Sequence, residues 1–490
     1  MRGFNVVNAK TKWIYAVRCM SFALVTALLL LYASSVLSNG TDNHKFLFQD
    51  FYKASKNEVD VVYIGASGAS WNWNPTVAFR ETGLASQLLA SERCPADAMP
   101  YLLAEAAKKD PALYVVDVHR FLGATSGDLA AVQSVLVNLR WSRNRLDAAD
   151  DMLENYSEEE KIMKYSPLYF FHSRWNQLGA RDFETVPYDF MGFSMRALSG
   201  SGIPAGAESA AAEPAAPKEE QLENLNLFLE KCRGLRGKIL FVEAPNDGSL
   251  AQYERYIQNL VTQMGCDYLN ASEYIDEIGM EDGDYQGGHH LTVYGAEKYT
   301  VWLSQYLERA YGIPDRREES GFREKARYEQ QYEAYQAYKI SHGVMLHKYL
   351  ESVASPRYCV LIAVKDEASS GLDERDIEKL RNLGFIQTPA GVYRASYAAA
   401  ESGGELIDEK ITAEESGESV AISGILPDGT PFSLESGGYK ASNHASVCVD
   451  GKEYSVNGRG LNIVVYDNLD HKVIDSAAFD TFLSNKPVTR

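Results

Sequence analysis

Residues 61–68 of this chain read VVYIGASG, and this stretch decides the fold of the first half. Its apolar start is typical of a buried parallel strand. Small residues on both sides of Ser67 let the chain turn sharply and expose the hydroxyl at the carboxyl edge of a sheet, where open α/β sheets bind ligands. A serine there can act as a nucleophile if a base reaches it. His290, in the stretch GGHHL at 287–291, is the candidate base.

The residues around this stretch alternate between strand and helix patterns. Strands are predicted at 59–65, 113–118, 238–243 and 267–269, with helices between them. Such alternation predicts a parallel sheet covered by helices on both faces, in a domain that spans 58–312. Residues 199–217 consist mostly of Gly, Ala, Ser, Pro and Glu, which predicts a flexible insertion.

The N-terminus carries a candidate membrane anchor. Residues 19–37 contain no charged side chain, and 19 residues are enough to cross a bilayer as a helix. Basic residues precede this run, so the positive-inside rule places residues 1–38 as a cytoplasmic tail and anchor and the rest of the chain outside the cell. A cleaved signal peptide is the alternative, since residues 33–38, ASSVLS, offer small residues at the end of the run. Residues 39–57 are predicted to form a polar stalk.

Composition excludes some function classes. The net charge is −19 and no basic cluster is visible, which argues against binding to nucleic acid or to anionic lipid through a polybasic patch. The six cysteines show no Cys-x-x-Cys spacing, so neither a metal nor a cofactor is predicted. Cys359 and Cys448 fall in one domain, and a disulfide between them is predicted.

The second half begins with charged residues and ends in short strands. Residues 317–353 look like one long helix with tyrosines at helical spacing, which predicts a linker (313–354) whose tyrosine stripe packs against a domain. From residue 355 to 490 a strand and a helix precede short β-type runs, which predicts a domain of α+β or mostly β type. The predicted strands there are 359–364, 391–395, 419–425, 446–449 and 461–466, and the predicted helix is 374–383.

Several short segments of the first domain resemble the SGNH/GDSL hydrolase family, closest to its exported, membrane-anchored branch associated with polysaccharides. These are GASG at 65–68, NP at 74–75, GLAS at 83–86, HSRW at 172–175, and the block from Asp276 to Lys298 that contains His290. The resemblance covers residues 58–312. It implies a flavodoxin-like, three-layer fold.

The resemblance also implies roles for individual residues. Ser67 would be the nucleophile and His290 the general base. The backbone N–H groups of Ser67 and Ala90, with a side-chain donor after the third strand, would form the oxyanion hole. The family's aspartate, three residues before the histidine, falls on Gly287 here. Asp284 or a backbone carbonyl is then the candidate to hold the imidazole.

Other polar residues are candidates to line the site. His119 follows a predicted strand, while His172 and Arg174 belong to the HSRW segment and could bind an anionic or acyl group. A structural ion pair is the equal alternative for Arg174. Trp71 and Trp73 follow Ser67 closely and could stack on a sugar ring, although aromatic residues there more often belong to a core.

The last domain carries a second resemblance. SGGY at 436–439 and GRGLNIVVYD at 458–467 resemble the interleukin-like EMT inducer domain, which implies a module that binds carbohydrate. A structural lid or a dimerisation domain is the alternative.

Together these patterns predict a membrane-anchored extracellular esterase or acyltransferase. Its substrates would be acyl esters, mainly O-acetyl, of a surface polysaccharide, and the family resemblance adds a membrane-bound acyltransferase as a partner. The alternative is a catalytically degenerate scaffold that binds or assembles glycan.

Overall fold

The structure is a computed structural model that describes residues 9–39, 44–122, 129–164, 168–183, 190–195, 200, 214–246, 248, 250–287, 289–413 and 416–490. Most of the predicted insertion at 199–217 lies outside these residues. The helices are α1 Ala9–Asn39, α2 His44–Lys53, α3 Ser67–Asn72, α4 Pro75–Thr82, α5 Met99–Ala106, α6 Leu129–Leu136, α7 Arg143–Met152, α8 Leu168–Phe171, α9 Glu219–Cys232, α10 Ala251–Gln263, α11 Ile275–Ile278, α12 Val293–Tyr311, α13 Lys325–Ser341, α14 Leu346–Val353 and α15 Glu374–Asn382.

The strands of the first domain form a parallel sheet and a short hairpin. They are β1 Val61–Gly65, β2 Ser86–Ala90, β3 Leu113–Asp117, β4 Lys238–Glu243, β5 Asp267–Asn270, β6 Tyr285–Gly287 and β7 His290–Leu291. The parallel strands run in the order β2-β1-β3-β4-β5, so β1 lies between β2 and β3. This order changes direction beside β1, and ligand sites of doubly wound sheets form at such a switch point.

Burial explains why these strands are mostly apolar. Every residue of β1, β2 and β3 is buried, as expected for strands covered on both faces. Helix α5 packs with α9, and α4 packs with α12 and α13. The parallel α/β sheet predicted from the sequence is therefore confirmed, with β2 as a strand that the sequence patterns missed.

The predicted stalk is part of the first core. Helix α2 occupies most of the described part of 39–57, and its Leu47, Phe48 and Phe51 are almost fully buried. These side chains recur at helical spacing and form one apolar face. The polar composition of the segment as a whole does not indicate this face. The stalk prediction is wrong for this helix.

Helix α1 matches the predicted anchor in length and composition. The most apolar 18-residue stretch of its span Lys12–Leu37 has a mean hydropathy of 2.1, and the span is mostly exposed except at its end, where Val36 and Leu37 are buried. An N-terminal helix of this kind is long and apolar enough to cross a membrane. A signal sequence has the same properties.

The linker consists of two helices instead of one. Helix α13 ends at Ser341 and α14 begins at Leu346. The predicted tyrosine stripe does pack against the first domain. Tyr328 is fully buried, its ring stacks on Phe79 with centroids 4.4 Å apart, and its hydroxyl donates to the Ser86 carbonyl at 2.6 Å.

The C-terminal domain is built around one long strand. Its strands are β8 Tyr358–Asp366, β9 Ser396–Ser402, β10 Glu405–Thr412, β11 Val420–Ile425, β12 Pro431–Gly438, β13 Ala445–Val449, β14 Lys452–Glu453, β15 Gly460–Asp467, β16 Lys472–Phe479 and β17 Val488–Thr489. Strand β8 pairs antiparallel with β9 and β15 and, over two residues, parallel with β12. The predicted strand at 391–395 is wrong, since β9 begins only at Ser396.

Alternate residues of β8 enter two different cores. Val360, Ile362 and Val364 pack with α14 and α15, whereas Leu361 and Ala363 pack with β11, β12 and β13. The period of two follows from the pleat of a strand that is buried on both faces. This is the α+β domain that the sequence predicted.

The predicted disulfide is absent. Both Cys359 and Cys448 carry free thiols. The Cys359 thiol contacts the Asn468 side chain at 3.0 Å, while Cys448 lies on β13 and contacts Glu453. One strand, β12, lies between β13 and β8 in the sheet, so the two cysteines are on strands that do not pair with each other.

Replacement of Tyr328 by alanine tests the packing of the linker. The Tyr328→Ala variant should lower the free energy of unfolding by about 3–5 kcal/mol, because a fully buried ring and its hydrogen bond are lost. Tyr338→Ala is the matched control, since Tyr338 belongs to the same stripe but is only partly buried, and its loss should be clearly smaller. Urea-induced unfolding measures both. Equal losses would contradict the packing described.

Candidate functional site

Ser67 lies where β1 meets α3, at the carboxyl edge of the parallel sheet. It is the first residue of α3, and only Ala66 separates it from β1. The turn requires small residues, because a Cβ atom on Gly65 would lie 2.6 Å from the Cβ of Asp117. The Ser67 side chain is partly exposed, although its neighbours are buried. The serine is thus presented at the switch point of the sheet.

His290 reaches Ser67 from the other end of the domain. Its Nε2 lies 2.8 Å from Ser67 Oγ, within hydrogen-bond distance. Strand β7, which begins with His290, leads into α12, whose first turn is capped by the Thr292 hydroxyl. A serine hydrogen-bonded to an imidazole is the arrangement of a nucleophile and its general base. The predicted pairing of Ser67 with His290 is therefore confirmed as a contact.

Among the described residues, no carboxylate contacts the His290 ring. Asp284 is fully buried, but its carboxylate pairs with Lys298 at 2.8 Å and with Lys348 at 3.2 Å and also accepts the N–H of Glu281. These contacts hold the loop before His290 in place. The partners of Asp284 are two lysines and a backbone N–H. The prediction that Asp284 could hold the imidazole is therefore wrong.

The backbone at Gly287 disfavours an aspartate at this position. Gly287 has a φ of +122°, a conformation that residues with a Cβ atom rarely adopt. It pairs with His290 in the β6–β7 hairpin. The hairpin that positions the histidine is thus built around a glycine.

The buried side chain of Asn72 holds the chain on both sides of His290. Its Nδ2 donates to the carbonyl oxygen of His289 at 2.9 Å, and its Oδ1 accepts the N–H of Leu291 at 3.0 Å. Trp71 adds a ring contact with His290 at a centroid distance of 4.5 Å. Sequence reasoning missed Asn72, since a polar residue in a short helix carries no signal of such a contact. Trp73, in contrast, is buried in the core.

His119 joins the site through His289. The two rings stack with centroids 3.6 Å apart, and His289 in turn lies 4.1 Å from the His290 ring. The Nδ1 of His119 is 3.7 Å from a Glu243 carboxylate oxygen at the end of β4. The prediction that His119 lies near the site is supported by these contacts. Glu243 was not predicted.

These contacts set the charges of the three histidines. Burial lowers the pKa of His119, but the nearby carboxylates of Glu243 and Asp117 together outweigh burial and raise the pKa overall. Burial, together with the charge of His119, lowers the pKa of His289 to about 2. Burial also lowers the pKa of His290, and the charge of His119 acts in the same direction. His290 is therefore neutral at pH 7, as a general base must be.

Asp117 brings a carboxylate next to the serine turn. Its Oδ1 accepts the N–H of His119 at 3.1 Å, and its Oδ2 lies 3.5 Å from the N–H nitrogen of Ala66. A Cβ atom on Gly68 would lie 2.8 Å from this Oδ2, so a larger residue there would force the carboxylate to move. Asp117 thus connects the turns after β1 and β3.

Ala90 ends β2 directly beside the serine turn. It is the register partner of Gly65 and is fully buried. This position is compatible with the predicted role of its N–H in an oxyanion hole, which stays a prediction.

His172 and Arg174 have partners outside this group. The Arg174 guanidinium pairs with Asp182 at 2.8 Å and donates to the Leu37 carbonyl at the end of α1. His172 is exposed in the same 3₁₀ turn, His172–Asn176. The contacts of Arg174 favour the structural ion pair, and a site-lining role for both residues stays a prediction. In the described part of the chain, no group of three or more His, Cys, Asp or Glu residues is arranged to hold a metal ion.

Replacement of Asn72 tests what positions His290. Asn72→Ala removes both backbone contacts, so amide exchange at Leu291 should accelerate. Labelling of Ser67 by a fluorophosphonate, which reacts with activated serines, should fall by ~10-fold or more because small misplacements of a base slow such reactions strongly. Asn72→Asp, which keeps the acceptor oxygen, should lose less.

A matched control separates positioning from stability. Asn74 is equally buried, and its side chain caps α4 by accepting the N–H of Thr76 at 2.9 Å. Asn74→Ala should destabilise the domain by about 1 kcal/mol without changing Ser67 labelling. If Asn72→Ala labels as fast as Asn74→Ala, Asn72 does not position the base.

The pH dependence of this labelling reports the state of His290. The imidazole accepts a proton only when it is neutral, and its pKa lies below the ordinary value of 6.5. The rate should therefore rise with pH, with a midpoint below 6.5, and stay level above roughly pH 7. Ser67→Ala serves as the unlabelled control. A midpoint above 6.5 would contradict the burial of His290.

No protein-family model matches this chain, and no curated protein matches it. The interpretation of the site therefore depends on its own geometry, in which the contact between Ser67 and His290 is the central observation.

Proposed function

We propose that this protein is a membrane-anchored, extracellular serine esterase or acyltransferase of the SGNH type. It acts on acyl esters, mainly O-acetyl groups, of a surface or exported polysaccharide. The observation that carries the proposal is the 2.8 Å distance between His290 Nε2 and Ser67 Oγ at the switch point of a parallel sheet. The polysaccharide and the SGNH assignment come from the sequence resemblance.

The proposed reaction has two steps. Ser67 Oγ attacks the acyl carbonyl carbon while His290 Nε2 takes the hydroxyl proton. The tetrahedral intermediate collapses, the bond to the sugar oxygen breaks, and His290 returns the proton to that oxygen. Water in the esterase, or an acceptor hydroxyl in the transferase, then attacks the acyl-serine carbonyl while His290 takes its proton. The acyl–Oγ bond breaks, the free acid or the new ester leaves, and His290 returns the proton to Ser67 Oγ. The backbone N–H groups of Ser67 and Ala90 hold the oxyanion in both steps.

His119 is the candidate for the third oxyanion donor. Relatives use a side chain that follows the third strand, and His119 lies two residues after β3. Glu243 approaches its Nδ1 and favours the protonated ring, which leaves Nε2–H as a donor. A cationic donor stabilises an oxyanion more than a neutral amide does.

The position of His290 depends on Asn72 and Trp71 instead of a carboxylate. Neutralising the carboxylate of a Ser-His-Asp site costs ~10⁴-fold in rate, mainly through the wrong tautomer of the histidine. Asn72 fixes the backbone around His290 but leaves the tautomer to other contacts. We therefore expect an enzyme that is slower than one with a complete triad.

The absence of a carboxylate among the described contacts of His290 favours a second candidate function. In that reading the same scaffold binds or assembles glycan without catalysis, and the C-terminal domain supplies the carbohydrate-binding surface. A membrane-bound acyltransferase is a partner in either case.

The orientation of the chain follows from its N-terminal charges. Arg2, Lys10, Lys12 and Arg18 precede the apolar run, which favours a cytoplasmic N-terminus. With α1 as a single span, both following domains lie outside the cell.

An esterase assay on the full chain in detergent distinguishes the two functions. Hydrolysis of p-nitrophenyl acetate and release of acetate from an O-acetylated polysaccharide should be at least ~10²-fold faster for the wild type than for Ser67→Ala. Ser70→Ala is the matched control, since Ser70 lies on the same helix and the only hydrogen bond of its hydroxyl among the described residues is to the Ser67 carbonyl. In the same assay His119→Ala should be slower by ~10²-fold, and His119→Asn should retain more activity.

The contrary result is equally clear. If the wild type and Ser67→Ala hydrolyse both substrates at the same rate, while polysaccharide binding survives in Ser67→Ala, the enzyme proposal is wrong and the glycan-binding scaffold is supported.

A further inference from the structure

Residues 168–183, here called the interfacial segment, pack against the end of α1. The segment comprises α8 and the 3₁₀ turns His172–Asn176 and Ala180–Asp182, and all three contact α1. Arg174 donates to the Leu37 carbonyl, and Leu37 is buried in this contact. The segment is therefore adjacent to the point where the apolar helix ends.

Polar contacts fix the segment and the helix end to each other. Asp182 accepts hydrogen bonds from Arg174 at 2.8 Å and from the Gly179 N–H at 2.8 Å. From the other side, Lys45 of α2 donates to the carbonyl oxygen of Ser35 at 3.0 Å. Because α2 is part of the first core, these contacts hold the end of α1 against the first domain.

The length of the apolar helix places this contact at a bilayer surface. The span Lys12–Leu37 has 26 residues, about 39 Å at the rise of an α-helix. The hydrocarbon core of a bilayer is only ~30 Å thick. The last turns of the span therefore reach the headgroup layer, where Leu37 meets Arg174.

Large aromatic side chains of the interfacial segment are exposed at this level. Trp175 is 72% exposed and Phe183 is 59% exposed, although both flank the buried Arg174–Asp182 pair. The segment contains three further aromatic residues in its sequence, LYFFHSRWNQLGARDF. Trp is enriched at the membrane–water interface, because its ring is apolar and its N–H needs a polar partner.

We propose that the interfacial segment lies on the membrane that α1 spans, with Trp175 and Phe183 inserted into the headgroup layer. The proposal depends on α1 remaining attached as a span, which is also part of the proposed function. The occupant of the surface is zwitterionic lipid, because the contact is aromatic and a chain with a net charge of −19 is not attracted to anionic headgroups. The membrane then fixes the first domain at one height and orientation.

Quenching by brominated lipid tests this contact on the full chain. The protein is reconstituted in nanodiscs of phosphatidylcholine with bromine atoms either near the headgroups or near the bilayer centre. Trp175→Phe should remove part of the tryptophan quenching, and the part removed should be larger with the shallow bromines. Trp141→Phe is the matched control, since Trp141 is 56% exposed but lies between α6 and α7 with its ring beside Arg145, and it should remove none.

The outcome is independent of catalysis. If Trp175→Phe and Trp141→Phe change quenching equally, the proposal is wrong. It is also wrong if α1 is cleaved as a signal peptide and the remaining chain does not insert into the bilayer. Equal esterase activity of Ser67→Ala and wild type would overturn the proposed reaction but would leave the quenching result unchanged.

Discussion

The side-chain amide of Asn72 joins two parts of the chain that are 217 residues apart. One buried group donates to the residue before His290 and accepts from the residue after it, so the serine helix and the histidine loop cannot move independently. A buried amide that lost these hydrogen bonds would be strongly unfavourable. Helix α3 therefore favours the arrangement in which Asn72 binds the histidine loop. The contact between Ser67 and His290 depends on this constraint more than on its own hydrogen bond.

The linker helices extend the same constraint to the C-terminal half. Lys348 of α14 is 1% exposed and pairs with the fully buried Asp284 in the loop before His290. Removing one partner of such a buried pair would leave a charge without compensation. The helix that leads into the β-rich domain is therefore connected directly to the histidine loop through a buried ion pair.

Some features could be predicted from the sequence because they depend on local pattern. The apolar run before Ser67 indicated β1, and the sharp turn indicated an exposed hydroxyl, because these follow from side-chain size and strand burial. Strand β9 was missed since its core reads Tyr397 followed by three alanines, and alanine has no preference for strands. Its burial between β8 and β10 is a tertiary effect. Asn72 and Glu243 were missed for the same reason, because their partners are distant in sequence.

The positive φ of Gly287 also limits how this protein can change. Every glycine codon is one nucleotide from a codon for aspartate or glutamate, so a single mutation can place an acid at position 287. The left-handed backbone makes that acid strained there, by roughly 1–2 kcal/mol, and the β6–β7 hairpin that holds His290 would have to shift to relieve it. A change from the asparagine contact to a carboxylate at position 287 would therefore pass through a strained intermediate sequence.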